Sequence, residues 1–158
     1  MRDYLSRWME DQTGEPTDTE QYVPAWQRGD EMARLDVVGS VEGRGVCVDV
    51  AFTNADRGSE ADRRTRAQKE GHAAEEVVAD KRRRYPAGAN PDAQLVPFVV
   101  EAYGRPSEEA VQFVRALAPT DLRRRAGVIA ETWRDISVIT QNRLAEGFLS
   151  AEKARLPK

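Results

Sequence analysis

The chain has 158 residues, 40% of them hydrophobic, and a formal net charge of −3. Its length predicts one domain with a core of its own. The lack of a long apolar run or a signal-like start predicts an intracellular protein, nuclear or cytoplasmic, with no membrane partner. One cysteine and one histidine exclude a disulfide framework and a histidine-rich or cysteine-based metal site. Any metal would be held by carboxylates and water, which suits Mg²⁺ or Mn²⁺.

The first element in chain order is a short amphipathic stretch at residues 4–9, followed by a polar segment that contains Gly14 and Pro16. We expect residues 1–22 to form a loosely held arm with this short helix. A first short strand is predicted around residues 22–26, which read YVPAW.

A β-hairpin is predicted for RLDVVGSVEGRGVCVDVAFT, residues 34–53, because two valine-rich runs flank a turn that contains glycine. With Glu42-Gly43 at the centre of the turn, Asp36 faces Asp49 across the ladder. Strand alternation then places Asp36, Val38, Cys47, Asp49 and Ala51 on one face, and Leu35, Val37, Val48, Val50 and Phe52 on the other. Like charges that face each other destabilise a ladder, and a divalent cation would offset that repulsion.

A helix is predicted from the N-cap Ser59 to about Arg84, with acidic residues in its first turn. Its inward positions at helical spacing are Ala67, Gly71, Ala74, Val78, Lys81 and Tyr85. A lysine at an inward position is unusual, because lysine is seldom buried without a partner. Either Lys81 reaches the carboxylates of the hairpin, or it extends to water near the end of the helix.

Three further elements complete the chain. QLVPFVVE, residues 94–101, predicts a buried strand, in which Pro97 leaves one ladder position unbonded. A helix begins at Ser107 and stops near Pro119, and Thr120-Asp121 caps a last long helix. The apolar stripe of that helix is Leu122, Ala126, Ile129, Trp133, Ile136, Thr140, Leu144 and Phe148. The predicted fold is a mixed α/β domain with a small four-stranded sheet flanked by helices.

Two aspartates and a lysine around one cation suit metal-assisted hydrolysis of a phosphodiester, in which the lysine positions the nucleophile or stabilises charge. Basic residues also cluster along the chain, although residues 1–31 are strongly acidic. Such clusters form phosphate-binding patches or simply solvated helix faces. The candidates for nucleic-acid contacts are Arg82, Arg83, Arg84, Arg123, Arg124 and Arg125.

The stretches LDVVG, VCVDVAFTN, GHAAEEVVADKRRRYP, LVPFVVEAYGRPSEEAVQFVRALA and WRDISVITQNRL, in this order, resemble the PD-(D/E)xK or restriction-endonuclease-like superfamily. Within it, the chain is similar to the restriction-like endonuclease domain that accompanies reverse transcriptases of early-branching non-LTR retrotransposons. The resemblance spans about residues 23–149.

This resemblance implies that Asp36 and Asp49 are catalytic metal ligands for Mg²⁺ or Mn²⁺. The lysine usually found two residues after the second acid is absent, because Ala51 stands there. In the retroelement subfamily the lysine comes from the following helix, and Lys81 matches it, with Tyr85 and Glu101 as supporting residues. Leu35 stands where the superfamily name has proline.

The resemblance further implies a DNA substrate, with RNA as an alternative, and a reverse transcriptase or DNA-binding domain elsewhere as a partner. It divides the chain into the arm at residues 1–22, an endonuclease-like core at 23–103 and a helical part of the same domain at 104–158. Three functions stay open at this point. They are an endonuclease that nicks DNA, an inactive nucleic-acid-binding module of the same fold, and an α/β interaction domain with solvent-facing aspartates.

Overall fold

The computed structural model describes residues 1–54, 56 and 59–153, without the side chains of Ala67, Phe148 and residues 151–153. Its helices are α1 (Arg2–Thr13), α2 (Glu60–Gln68), α3 (His72–Arg84), α4 (Glu108–Leu117) and α5 (Leu122–Lys153). Its strands are β1 (Asp18–Tyr22), β2 (Arg34–Val41), β3 (Arg44–Thr53) and β4 (Ala93–Glu101), and short 3₁₀ turns lie at Pro24–Trp26 and Ala87–Ala89.

The four strands form one mixed sheet in the order β1-β2-β3-β4. The first two pairings are antiparallel, and β4 runs parallel to β3. A parallel neighbour needs a crossover connection, which here contains α2 and α3. The prediction of a mixed α/β domain with a small four-stranded sheet and a long last helix is confirmed.

The predicted register of the hairpin is confirmed, since Val38 pairs with Cys47 and Val37 with Val48. Its turn has Glu42 at φ 52° and Gly43 at φ 77°. Positive φ at both central residues is the geometry of the two-residue turns that match the twist of a hairpin. Glycine adopts it without strain, which explains why the sequence turns at this point.

The larger core lies on one face of the sheet, where α1, α4 and α5 pack. Its buried residues include Leu5, Trp8 and Met9 of α1, Val37, Val48, Phe98 and Val100 of the sheet, Phe113 and Val114 of α4, and Ile136 of α5. Side chains of α3 cover the other face, where Ala74 and Val78 pack against Val99 and Ala51. The sheet therefore has a thick apolar layer on one side and a single main helix on the other.

The expectation that residues 1–22 form a loose arm is wrong. Leu5 and Met9 are fully buried, because one face of α1 is apolar and lies in the main core. Residues 18–22 are the edge strand β1, so the first strand lies before the predicted 22–26 segment. Residues 24–26 form a 3₁₀ turn instead, since Pro24 is compatible with the first turn of a helix.

The helix predicted from Ser59 to Arg84 is two helices. Ser59 caps α2 as predicted, with a reciprocal bond to Asp62. The chain then breaks at Gly71, which has φ 76° and becomes the N-cap of α3 rather than a residue of its stripe. Ala67, the first residue of that predicted stripe, lies outside the described side chains.

The pattern predicted for α5 holds only in its middle. Asp121 caps the helix, because its carboxylate accepts from the Arg124 N–H at 2.9 Å. Ile136 and Thr140 are buried, but Leu122 is 82% exposed and Ala126 is also exposed. The first turns of the helix therefore do not pack against the core. Near its other end, the side chain of Phe148 lies outside the described residues.

Pro97 was predicted to leave one ladder position unbonded, but the sheet loses no ladder hydrogen bond at this residue. Beyond it, the Val99 carbonyl accepts from Ser107 and the Glu101 N–H donates to Arg105, so both residues bond away from β3. Alternation by two places the Pro97 nitrogen at the same outer edge of the sheet. Proline is tolerated there because no neighbouring strand needs its donor.

Among the described helices, none is long and apolar enough to cross a bilayer.

Candidate active site

Asp36 lies where the pairing of β2 with β3 ends and where the pairing of β2 with β1 skips one residue pair. The registers of the two ladders would pair it with Glu20 of β1 and Asp49 of β3, but neither pair belongs to the ladder. Glu20 has φ 56°, which is uncommon for a residue other than glycine. The Asp36 carboxylate instead accepts a hydrogen bond from the Val50 N–H at 2.7 Å. A side chain thus replaces the backbone in the ladder and is held close to β3.

This interruption also changes the alternation of β2. Leu35 was predicted to share the face of Val37, but it packs in a separate cluster with Trp26, Cys47 and Tyr85. Val37 belongs to the main core on the opposite face.

Asp36 lines a cleft with Val50 and Phe52, which were predicted for the opposite face. Asp49, in contrast, contacts Lys81 under α3. The prediction that the two aspartates share one face of the sheet is therefore wrong.

Asp49 and Lys81 form the closest charged contact of the site. The Lys81 Nζ lies 2.5 Å from Asp49 Oδ2, and the two side chains are only 14% and 12% exposed. Burial raises the pKa of the Asp49 carboxyl above its usual value, the Lys81 ammonium opposes that rise, and the nearby Asp36 carboxylate adds to it. The alternative in which Lys81 extends to water is therefore wrong, and the inward lysine meets the carboxylates.

The packing of α3 explains why Lys81 points to the sheet. Ala74 and Val78 bury one face of the helix against Val99, and Lys81 continues this face one turn later. Ala51, two residues after Asp49 in β3, is partly buried under the same helix. Its small side chain leaves room for the long lysine stem to reach along the sheet.

Tyr85 closes the cluster at the end of α3. It is 7% exposed, and its ring lies 5.6 Å from that of Trp26. Burial raises the pKa of the Tyr85 hydroxyl, and the Asp49 carboxylate raises it further. The structure therefore brings together four of the five predicted residues, namely Asp36, Asp49, Lys81 and Tyr85.

Glu101 lies apart from this cluster. Its carboxylate accepts from the Ala74 N–H at 3.2 Å, at the start of α3. Lys81 lies seven positions after Ala74 in the helix, which corresponds to roughly 10 Å along the axis. Glu101 satisfies one of the free N–H groups of a helix start, and its negative charge suits that end of the helix dipole.

The arginines at the end of α3 all have carboxylate partners. Arg82 contacts Glu109 at 2.9 Å and Arg83 contacts Asp80 at 3.0 Å, and both arginine side chains are more than half exposed. Arg84 lies 3.7 Å from Glu31. Exposed pairs of this kind are worth little in stability, so a phosphate can compete for the guanidinium groups.

The second predicted cluster divides into two kinds of arginine. Arg125 donates to the carbonyls of Arg115, Ala118 and Pro119, which are free at the end of α4. It therefore caps a helix and is poorly placed to bind phosphate. Arg123 and Arg124 are exposed in the first turn of α5.

Sequence reasoning missed a cleft of about 300 Å³ in front of Asp36. Arg143 of α5 and Arg2 of α1 line it together with Val50 and Phe52. The Arg143 guanidinium lies 4.9 Å above the Phe52 ring, a distance typical of a cation–π contact. Only the packing of α5 on the sheet brings Arg143 here, and no periodicity in the sequence indicated it.

The donor set fits a hard divalent cation. Mg²⁺ is commonly bound by one or two carboxylates together with waters and substrate phosphate oxygens, and Asp36 and Asp49 supply two neighbouring carboxylates. Among the described side chains, no group of three or more Asp, Glu, His or Cys residues is placed to hold a metal.

Thiol chemistry finds no support at this site. Cys47 is 2% exposed, and burial raises the pKa of its thiol to about 11. A buried thiol with a raised pKa is inert as a nucleophile near neutral pH. His72 lies on α3 beside Glu75 and Glu76, at 3.8 and 3.7 Å, on the helix that also carries Lys81.

The fold and this cluster define a mixed α/β domain with a buried aspartate–lysine pair where two strands separate. A scan against family models and a search of curated proteins gave no match to the chain.

Proposed function

We propose that this chain is a divalent-metal-dependent endonuclease that hydrolyses a phosphodiester of DNA and derives from a retroelement. The observation that carries the proposal is the contact of Lys81 with Asp49 beside Asp36. An inward lysine on α3 and a carboxylate pair on the hairpin are each unusual, and together they supply the groups that this hydrolysis needs. The resemblance to the PD-(D/E)xK superfamily supports the same chemistry.

Each residue has a distinct part in the proposed reaction. Asp36, fixed by the Val50 N–H, and Asp49 are the residues that would hold the cation. A bound Mg²⁺ would supply positive charge at the phosphate and acidify a coordinated water. Lys81 donates hydrogen bonds from its ammonium group, which positions the attacking water and stabilises charge that develops on the phosphate. The water oxygen forms a bond to phosphorus and releases one proton to solvent. The ester bond to the leaving oxygen breaks, and that oxygen takes up one proton from solvent.

The burial of Asp49 and Lys81 strengthens their proposed part in the reaction. Asp49 and Lys81 are largely shielded from water, so their electrostatic effect on a bound phosphate is stronger than at an exposed site. Tyr85, whose ring packs against that of Trp26, lies beside Asp49. The cleft lined by Arg143 and Arg2 gives Asp36 access to solvent.

One observation favours the alternative of an inactive nucleic-acid-binding module with the same fold. The Lys81 ammonium already contacts one Asp49 oxygen, and the Val50 N–H already occupies one Asp36 oxygen. These contacts satisfy two carboxylate oxygens without a metal. In that case the arginines bind nucleic acid, and the aspartates only hold the lysine.

Nicking of supercoiled plasmid DNA distinguishes the two functions. The wild type should convert it to the open circular form in Mn²⁺ or Mg²⁺ and not in chelator. Asp49→Asn and Lys81→Met should abolish this conversion and still bind the plasmid. A wild type that binds DNA without nicking it, or a Lys81→Met variant that nicks like the wild type, contradicts the endonuclease proposal.

A further inference from the structure

A second cleft, of about 340 Å³, lies beside the candidate active site between the start of β2 and the end of α3. Three arginines from different parts of the chain line it, Arg28, Arg34 and Arg84. We call it the arginine cleft. Arg28 and Arg34 belong to none of the basic runs that the sequence indicated, so only the fold brings the three together.

The arginine cleft and the candidate active site share a wall. Tyr85 lines the cleft, and its hydroxyl is influenced both by Asp49 in the cluster and by Arg84 in the cleft. These two groups act in opposite directions on the pKa of Tyr85, Asp49 raising it and Arg84 lowering it. The side chain of Tyr85 therefore lies between the arginine cleft and the aspartate–lysine pair.

Two of the arginines are held in place by the protein itself. Arg28 donates to the Arg83 carbonyl, which ties the segment between β1 and β2 to the end of α3. Arg34 pairs with Glu20, which also holds Arg2 at 2.5 Å. A guanidinium that is already oriented loses less freedom when it binds an anion.

The ion pair of Arg84 with Glu31 is long, and Arg84 also contacts the Tyr85 hydroxyl. Its guanidinium is 3.7 Å from the carboxylate of Glu31, longer than a hydrogen bond, and the Glu31 side chain is 78% exposed. A phosphate oxygen at hydrogen-bond distance would displace this carboxylate at little cost, since such an exposed pair contributes little. Glu31 therefore competes with an anionic ligand for Arg84.

We propose that the arginine cleft binds the phosphodiester backbone of the nucleic-acid strand whose scissile bond lies at Asp49 and Lys81. This inference rests on the proposed function and adds the path of the substrate. The guanidinium groups of Arg34 and Arg84 contact successive phosphates, and Glu31 moves away when the strand binds. Arginine is suited to this because its planar group binds two phosphate oxygens at once.

Binding of a labelled single-stranded DNA, measured by fluorescence anisotropy in chelator over a range of salt concentrations, tests the inference without catalysis. Arg34→Gln and Arg84→Gln should each weaken binding several-fold at low salt. Each should also reduce the slope of log affinity against log salt by about 0.7, because one phosphate contact is lost. Arg63→Gln is the matched control, since Arg63 is an exposed arginine of α2 away from the cleft.

Glu31→Gln should change the affinity for DNA in the opposite direction from the two arginine substitutions. It removes the competing carboxylate and should tighten binding, whereas a general effect of altered folding would weaken it. Inorganic phosphate, added at constant ionic strength, distinguishes a nucleic-acid strand from a small anion as the ligand. Phosphate should not displace the DNA at concentrations at which other salts leave the DNA bound.

The inference is overturned if Arg34→Gln and Arg84→Gln bind as Arg63→Gln does, if Glu31→Gln does not bind more tightly, or if dilute phosphate displaces the DNA. Its failure can be distinguished from failure of the proposed function. If the wild type nicks DNA and the arginine-cleft variants bind DNA normally, the endonuclease proposal stands and the arginine-cleft proposal is wrong. If the wild type binds DNA through the arginine cleft but never nicks it, binding at the cleft stands and the endonuclease proposal is wrong.

Discussion

The ammonium group of Lys81 on α3 lies 2.5 Å from the carboxylate of Asp49 on β3, and both side chains are at least 86% buried. Burial of a charged pair is costly unless each charge is compensated, and here a second carboxylate, Asp36, stands beside the first. Lys81 pairs with Asp49, while Asp36 faces the cleft that Arg2 and Arg143 line.

Removal of the lysine should destabilise the fold near neutral pH. Lys81→Met keeps most of the stem and leaves Asp49 buried without its partner, so we expect a loss of about 3 kcal/mol in the free energy of unfolding. Because Lys81 opposes the rise in the pKa of Asp49, that pKa should rise further in the variant. Urea unfolding and a carbon-13 titration of the carboxyl groups measure the two effects. An unchanged titration of Asp49 would mean that the contact does not form in solution.

Asp49 should make the protein less stable as the pH rises. Its pKa is raised in the folded state, so its contribution is fully present below the unfolded pKa of about 3.9 and is lost as the pH rises through the folded value. In chelator, the wild type should therefore lose stability relative to Asp49→Asn as the pH rises above about 4. Urea unfolding of both proteins across this range measures the difference. A difference that grows in favour of the wild type with pH would show that the lysine outweighs burial.

Asp36 should have a structural contribution that its amide analogue retains. Asp36→Ala leaves the Val50 N–H without its 2.7 Å acceptor, which should cost about 1 to 2 kcal/mol. Asp36→Asn keeps an oxygen acceptor and should be nearly as stable as the wild type, yet should lose metal-dependent nicking. Thermal unfolding and the plasmid assay separate the two roles. Equal stability of the alanine and asparagine variants would contradict this hydrogen bond.

The two kinds of arginine at the start of α5 should respond differently to substitution. Arg125→Ala removes the donor to three carbonyls at the end of α4 and should lower stability by about 1 kcal/mol. Arg123→Ala, at an exposed position, should leave stability within about 0.5 kcal/mol. Thermal unfolding of both variants tests this difference, and equal losses would argue against the cap.

The sequence predicted the hairpin, its turn and the register of Val38 with Cys47 because this information is local. Positive φ at Glu42 and Gly43 sets the turn, and the turn sets the register of the strands. The inward position of Lys81 followed from the spacing of Ala74 and Val78 on the same helix. Patterns within one element were therefore sufficient to place the centre of the site.

The features that sequence reasoning missed depend on contacts between distant segments. The interruption at Asp36 involves β1, β2 and β3 at once, and it places Leu35 on a face that simple alternation does not predict. Arg143 reaches the site only through the packing of α5. Residues 1–22 looked polar on average, although the apolar side of α1 fills part of the core.

Calorimetric titration of Mn²⁺ into the wild type and into Asp49→Asn, with and without DNA, tests most directly whether Asp36, Asp49 and Lys81 form a metal-dependent active site. We predict saturable binding to the wild type that Asp49→Asn abolishes under both conditions. Absence of binding to the wild type even with DNA, or equal binding to both proteins, would contradict a metal site at the hairpin.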